Sequence, residues 1–383
     1  MKEKREVNIN PKRIIFFLLC LQNAAISINI AALSAAIPTI SKDLALADVL
    51  VAKIIPYYMI PYGVGALLYA PLAKKVSAKI LMAVTMFLFA VTNFYCASAN
   101  ALAPFLTLRV AMGIVSAGVI PLGLIIIGRT FEADIRGRLV GIFFSCSFAA
   151  SLAGIVLSGV AHWRWLFLLP GYLGLLAALF ILFIKSDTLG KIEGRVDYAG
   201  VFRNVKLRNI LIFITLISMF YHGVDRWLGV YMARIYHLNQ LTISFLFGLI
   251  AVSAGVGQNL GGYLTDKKGR FFSCKLGIVM LAGATMLLAG VYPVFILAMV
   301  LVVLAVGWTI GHNGASTALT DFPDEYRAEI ASLNSSLRFF FGGFGFLLSG
   351  LFIEKSFALT FLGIGVLMLF LSVYLRKIIP AQS

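Results

Sequence analysis

The sequence predicts an all-α membrane protein with twelve transmembrane helices in two pseudo-symmetric six-helix halves. Three observations predict it. The 383 residues are 61% hydrophobic and 13% charged, whereas an ordinary soluble domain is about 45–50% apolar and about 25% charged. That is more apolar surface than a soluble core can hide. Apolar runs of about 20 residues, long enough to cross a bilayer, occur twelve times. Sequence features also recur at an offset of about half the chain.

The runs cover 14–38, 50–73, 79–98, 102–127, 138–160, 164–184, 209–232, 242–264, 273–292, 294–318, 329–352 and 356–375. The seventh is the least apolar. Most connections are short, as antiparallel neighbours require. The longest, 185–208, is a linker between a first half (1–184) and a second (209–383). The basic N-terminus (Lys2, Lys4, Arg5) passes straight into a long apolar run, so a removable signal peptide is not expected.

With the N-terminus placed in the cytoplasm, 24 of the 32 Lys and Arg fall on that side. Five (Lys42, Lys53, Arg164, Arg234, Lys355) fall on the other, and three (Arg109, Arg226, Arg338) lie inside helices. This asymmetry obeys the positive-inside rule and predicts both termini on the cytoplasmic side of a bacterial inner membrane. It also accounts for the net charge of +16: the lipid bilayer, with its anionic headgroups, is a sufficient partner, and no nucleic acid is implied. The four cysteines stand singly, with no CxxC or Cys/His cluster, so neither a metal site nor a disulfide framework is expected. No Walker-type loop, paired carboxylates, nucleophile motif or HExxH helix is present. Neither an enzyme, direct ATP use nor a cofactor is therefore expected, and a monomer is.

The halves repeat. Ala70-Pro-Leu-Ala-Lys74-Lys-Val-Ser77-Ala78 follows run two, and Gly262-Tyr-Leu-Thr-Asp266-Lys-Lys-Gly269-Arg270 follows run eight, 192 positions later. Phe131-Glu-Ala-Asp-Ile-Arg136 precedes run five, and Phe322-Pro-Asp-Glu-Tyr-Arg327 precedes run eleven, 191 positions later. Two pairs at nearly one offset indicate duplicated halves, a common architecture of secondary transporters.

On these residues the chain resembles the major facilitator superfamily. Gly262 to Arg270 resembles its motif A, and Leu106-Thr-Leu-Arg109-Val-Ala-Met-Gly113 its motif B. Arg136-Gly-Arg and Trp163-Arg-Trp-Leu-Phe167 are similar to recurrent features of that family. The resemblance implies the twelve-helix fold of the family, with helices one, four, seven and ten lining a central cavity. It implies that Asp266, flanked by Gly262, Gly269 and Arg270, belongs to a cytoplasmic gate. Its partner would be the start of helix five, near Arg136 and Arg138, where the helix dipole favours an anion. It implies for Arg109 a place facing the cavity and a role in substrate binding or proton coupling.

Two features depart from the family pattern. The first-half copy of motif A has Lys74, Ser77 and Ala78 where Asp, Gly and Arg are expected. The antiporter-associated motif C lacks its proline, with Ile155 in that place. The loop 320–329 carries Asp321, Asp324, Glu325 and Glu329 against Arg327 alone. The paired inversion suggests a gate of reversed polarity, Lys74 or Lys75 against Asp324 or Glu325.

Charges inside the membrane are expensive and usually face a cavity or a partner. Of 16 acidic residues only Asp225 falls inside a run away from its first residue, Glu329 standing at the very start of run eleven. On a helix, Tyr221, His222 and Asp225 share a face, and Arg226 stands four residues after His222. Such a cluster can take up and release a proton. Arg338 lies about two turns into run eleven. Asn29, His312 and Asn313 are polar candidates beside Asn23, Ser27, Gln258 and Asn259. Three arginines and two histidines against one carboxylate favour an anionic or neutral solute over a cation. The expected function is secondary transport of a small organic solute by alternating access, with protons as a candidate coupling ion. A proton-exchanging drug or metabolite exporter and a passive facilitator are the alternatives.

Overall fold

In the computed structural model the described residues are 11–184, 189–191, 197–322 and 327–379. Every apolar run forms a span. In the first half these are α1 (Pro11–Leu44), α2 and α3 (Asp48–Ala52, Pro56–Lys75), α4 (Ala78–Ala97), α5 and α6 (Leu102–Ser116, Val119–Thr130), α7 (Ala133–Val160) and α8 (Trp165–Leu182). A short helix, α9 (Tyr198–Arg203), lies in the linker. The second half contains α10 and α11 (Val205–Asp225, Leu228–Ile235), α12 (Gln240–Lys268), α13 (Arg270–Leu287), α14 (Val294–Leu319), α15 (Arg327–Ile353) and α16 (Phe357–Ile378). Small polar residues start several helices by accepting a backbone N–H: Ser77 from Ile80, Asn204 from Leu207, Asn239 from Thr242 and Ser356 from Leu359.

The repeat is written into the backbone. Among the described residues the non-glycines at positive φ are Ala45 (52°) and His237 (53°). They stand 192 positions apart, each just past the end of the first span of its half. Two residues on, Ala47 and Asn239 start the next helix in each half. Close packing repeats as well. Gly154 of α7 seats the Ile28 carbonyl of α1, and Gly345 of α15 seats the Met219 carbonyl of α10, both pairs shifted by 191. A side chain at either glycine would collide with backbone, the reason membrane helices meet at small residues.

The halves are joined along α3 with α15 and α7 with α12. Gly63 lies on the Phe340 backbone, Gly343 on Ile60, and Gly255 against the Phe148 ring. Away from the linker, the two bundles are sealed by polar contacts. Thr39 Oγ1 donates to Gln240 Oε1 at 2.7 Å, and Gln240 Nε2 donates to the Ala35 and Ser158 carbonyls at 3.1 Å each. The Ser158 and Ser244 hydroxyls are 2.9 Å apart, and Arg234 pairs with Asp48 at 2.7 Å. Toward the linker the bundles part. Phe144 of α7 is 44% exposed, Gln258 and Asn259 of α12 are exposed, and no atom of a neighbouring element stands within 4 Å of a Cβ built at Gly137 or Gly141. Among the described residues the bundles thus enclose a cleft open at the linker end and closed at the other.

The linker touches both bundles. The Tyr198 hydroxyl donates to the Leu67 carbonyl of α3 at 3.1 Å, and the Asp197 N–H donates to Glu329 Oε1 of α15 at 3.0 Å.

Candidate functional site

Span seven bends where its charges are. α10 ends at Asp225, and the chain turns through Arg226 and Trp227 before α11 begins. Trp227 is anchored in α15: its indole stacks on Phe346 (4.3 Å, 7°) and donates to Ser349 Oγ at 3.0 Å. The bend lets Arg226 reach two ways. Its Nε is 3.4 Å from Asp225 Oδ2, and its Nη1 donates to the Ile30 carbonyl (3.2 Å) and Ser34 Oγ (3.3 Å) of α1. His222 Nδ1 is 3.9 Å from Asp225 Oδ2. The Asp225 and Arg226 side chains are only 8% and 11% exposed, so the pair is a buried ion pair that also ties the two bundles.

An aromatic stack continues from it. Tyr221 lies flat on Trp308 of α14 at 4.1 Å and 5°. His222 and His312 approach Trp308 at 5.5 and 5.1 Å. His312 Nε2 is in turn 3.5 Å from Arg338 Nη1 of α15. Arg338 lies over Phe339 (5.3 Å), and Phe339 packs on Tyr62 of α3 (4.1 Å, 32°), so the first bundle also borders the site. Gly342 leaves room for the His222 ring and Met59. Arg338 is eleven residues into α15, about 16 Å along the helix and so near the bilayer centre. Among the described residues no carboxylate pairs with it.

The structure therefore brings together Tyr221, His222, Asp225, Arg226, His312 and Arg338 from three spans. It places the other candidates elsewhere. Arg109 is 1% exposed, inside the first bundle and not at the cleft. Pro56 breaks span two, and the Tyr58 N–H turns to the Ile55 carbonyl. The Ile54 carbonyl is left for Arg109 Nε, at 3.0 Å, with the guanidinium 4.3 Å over the Tyr58 ring. Asn29 donates to Asn93 Oδ1 (3.3 Å) between α1 and α4, and Asn313 donates to the Gln258 carbonyl (3.3 Å) between α14 and α12. Both amides act as contacts within a bundle.

At the open end the candidate gate residues Lys74, Lys75, Arg136 and Asp266 form no ion pair with one another among the described residues. Lys74 is half-buried and Lys75 exposed in the last turn of α3. Asp266 is exposed, and no ion pair to it is seen among the described residues. Arg136 Nε donates to the Phe131 carbonyl of its own connection at 2.7 Å. Gly262 faces Asn313, Gly269 takes φ 84° at the α12–α13 turn, and Arg270 pairs with Asp321. Two acids of the 320–329 loop, Asp321 and Glu329, are thus engaged by Arg270 and the linker. Asp324 and Glu325 lie outside the described residues.

Sequence reasoning missed Trp308, Tyr62 and Phe339. Trp308 stands four residues before His312, on the same helical face, which was the available signal. Tyr62 and Phe339 meet only across the bundles and left none.

The chain is similar to known transporters. It is 23% identical over 264 residues to a probable L-galactonate transporter of Escherichia coli (strain K12), covering 62% of this chain and 57% of that protein. It is 23% identical over 198 residues to the riboflavin transporter RibZ of Clostridioides difficile (strain 630), covering 50% and 43%. The chain thus spans about half the length of these relatives. Its fold matches a bacterial homolog to the human lysosomal transporter Spinster, in an inward-facing and occupied conformation. That match has a TM-score of 0.78 at 14% identity and covers 97% of this chain and 98% of the other. The Major Facilitator Superfamily model matches residues 19–346; the chain belongs to that family.

Proposed function

We propose that this protein is a secondary transporter that carries a small organic anion across a bacterial inner membrane by alternating access. The observation that carries the reading is Arg338, a cation near the bilayer centre with no carboxylate partner among the described residues. A charge in that place needs a counter-charge, and an anionic solute entering the cleft supplies one. Arg226 already has Asp225, and Arg109, which also meets no carboxylate among the described residues, is buried inside the first bundle against the Ile54 carbonyl and the Tyr58 ring, where no solute in the cleft reaches it. The sugar-acid name of the Escherichia coli relative agrees with an anion.

The basic residues gather at the linker end, which the positive-inside rule assigns to the cytoplasm. The cleft then faces inward. To face outward, the contacts from Arg226, Gln240, Ser158 and Arg234 must part while α3–α15 and α7–α12 rock. Lys74 and Lys75 would then meet the acidic 320–329 loop, and Asp266 the start of α7. Arg226 bridges Asp225 and α1, so protonation of Asp225 would remove one of its two tethers, a route for proton coupling.

The test is exchange of labelled organic anions in proteoliposomes. Arg338→Gln is expected to lower exchange by about tenfold or more, the loss of one charge-assisted contact, with unchanged thermal stability. Exchange of neutral solutes alone, untouched by Arg338→Gln, would contradict the reading.

A further inference from the structure

We propose that the transported solute is a flat aromatic acid, its carboxylate on Arg338 and its ring against Trp308. This rests on the anion-transport reading above and adds the ring.

Trp308 is the outer plate of the aromatic stack. Tyr221 and His222 are both buried (7% exposed), whereas Trp308 in front of them is only half-buried. Tyr221 lies parallel to the indole at 4.1 Å and holds it flat from behind. Held in this orientation, the part of the indole that stays exposed can meet an arriving ring without further ordering cost.

The cation lies one imidazole away from that surface. His312 is 5.1 Å from the Trp308 ring and 3.5 Å from Arg338 Nη1. A benzene ring and its carboxylate have a similar span, so one small molecule can touch both groups. The far side of Arg338 is also aromatic. Phe339 lies under it at 5.3 Å, and Tyr62 of the other bundle stacks on Phe339 at 4.1 Å.

Ring faces and Met59 stand next to Arg338 and Trp308. A polyhydroxylated acid would make little use of such faces and would lose water from each hydroxyl set against them. A ring instead gains apolar and stacking contact, and a guanidinium accepts a carboxylate in two-pronged geometry.

The test is equilibrium binding of labelled benzoate to the full chain in nanodiscs. The competitors are cyclohexanecarboxylate, which has the charge without the π-face, and benzamide, which has the ring without the charge. We expect saturable benzoate binding and about tenfold or weaker competition from each analogue. Trp308→Leu should bring benzoate and cyclohexanecarboxylate to equal affinity, and Trp308→Phe should keep the preference for benzoate. Equal competition by cyclohexanecarboxylate in the wild type would overturn the ring assignment and leave the anion reading standing. Equal competition by benzamide would overturn both. Absence of saturable benzoate binding would overturn the aromatic-acid assignment, while anion exchange in proteoliposomes would continue to judge the transport reading on its own.

Discussion

Three arginines lie within the membrane, and each meets a different fate. Arg109 takes a carbonyl that a proline break has freed, Arg226 takes a carboxylate and a neighbouring helix, and Arg338 meets, among the described residues, a histidine and a ring. The first two are structural solutions to the cost of a buried charge. Breaking the Asp225–Arg226 pair from one side should therefore be costly. Asp225→Asn and Arg226→Gln are each expected to lose on the order of 3 kcal/mol, read as a lower unfolding midpoint. The double variant should lose clearly less than the two losses together, because neither charge is then stranded. Additive losses would show that the two groups do not act as a pair. The His222–Asp225–Arg226 cluster was legible in the sequence, since spacings of three and four residues put side chains on one face. The fate of Arg109 was not, because it depends on where Pro56 redirects a carbonyl of another span. Trp308 was signalled only by its spacing of four from His312; its stacking on Tyr221, which is on a different helix, was not legible.

At the scale of helices, glycines decide how closely the spans meet. Gly154 and Gly345 lie in equivalent places in the two halves, each against a carbonyl of the first span of its half. A Cβ at either site meets backbone that cannot yield. Gly154→Val and Gly345→Val should therefore sharply reduce folded yield in detergent, measured by monodisperse elution and thermal unfolding. Gly363 of α16 has no atom within 4 Å of a Cβ built on it. Gly363→Ala should leave stability within about 1 kcal/mol of wild type and on the side of a gain, since glycine is the costlier residue in a helix. If all three variants behaved alike, close contact would not be what the first two glycines provide. Hydropathy located every span because length and apolarity are local properties. It did not locate the breaks at Ala117–Gly118 and Arg226–Trp227, inside spans four and seven. Both depend on neighbouring helices that hold the bend.

For the whole molecule, the half-chain repeat was legible from two loop motifs, and the backbone carries the same offset in Ala45 and His237. Which end is open was not legible. The sealing contacts join residues about 80 to 205 positions apart, such as Ser158 with Ser244 and Gln240 with Ala35. Transport by alternating access requires that seal to open in every cycle. Ser158 and Ser244 are buried with hydroxyl oxygens 2.9 Å apart, one in each bundle. Replacing both with cysteine sets two thiols side by side across the seam with little change in volume. The decisive measurement is anion exchange in proteoliposomes by Ser158→Cys/Ser244→Cys, with Cys20, Cys96, Cys146 and Cys274 replaced by alanine, before and after oxidation. The account predicts that oxidation stops exchange, that a reductant restores it, and that the locked protein still binds anion from its open side. Exchange at an undiminished rate with the disulfide formed would contradict it, because solute would then cross without the sealed end opening.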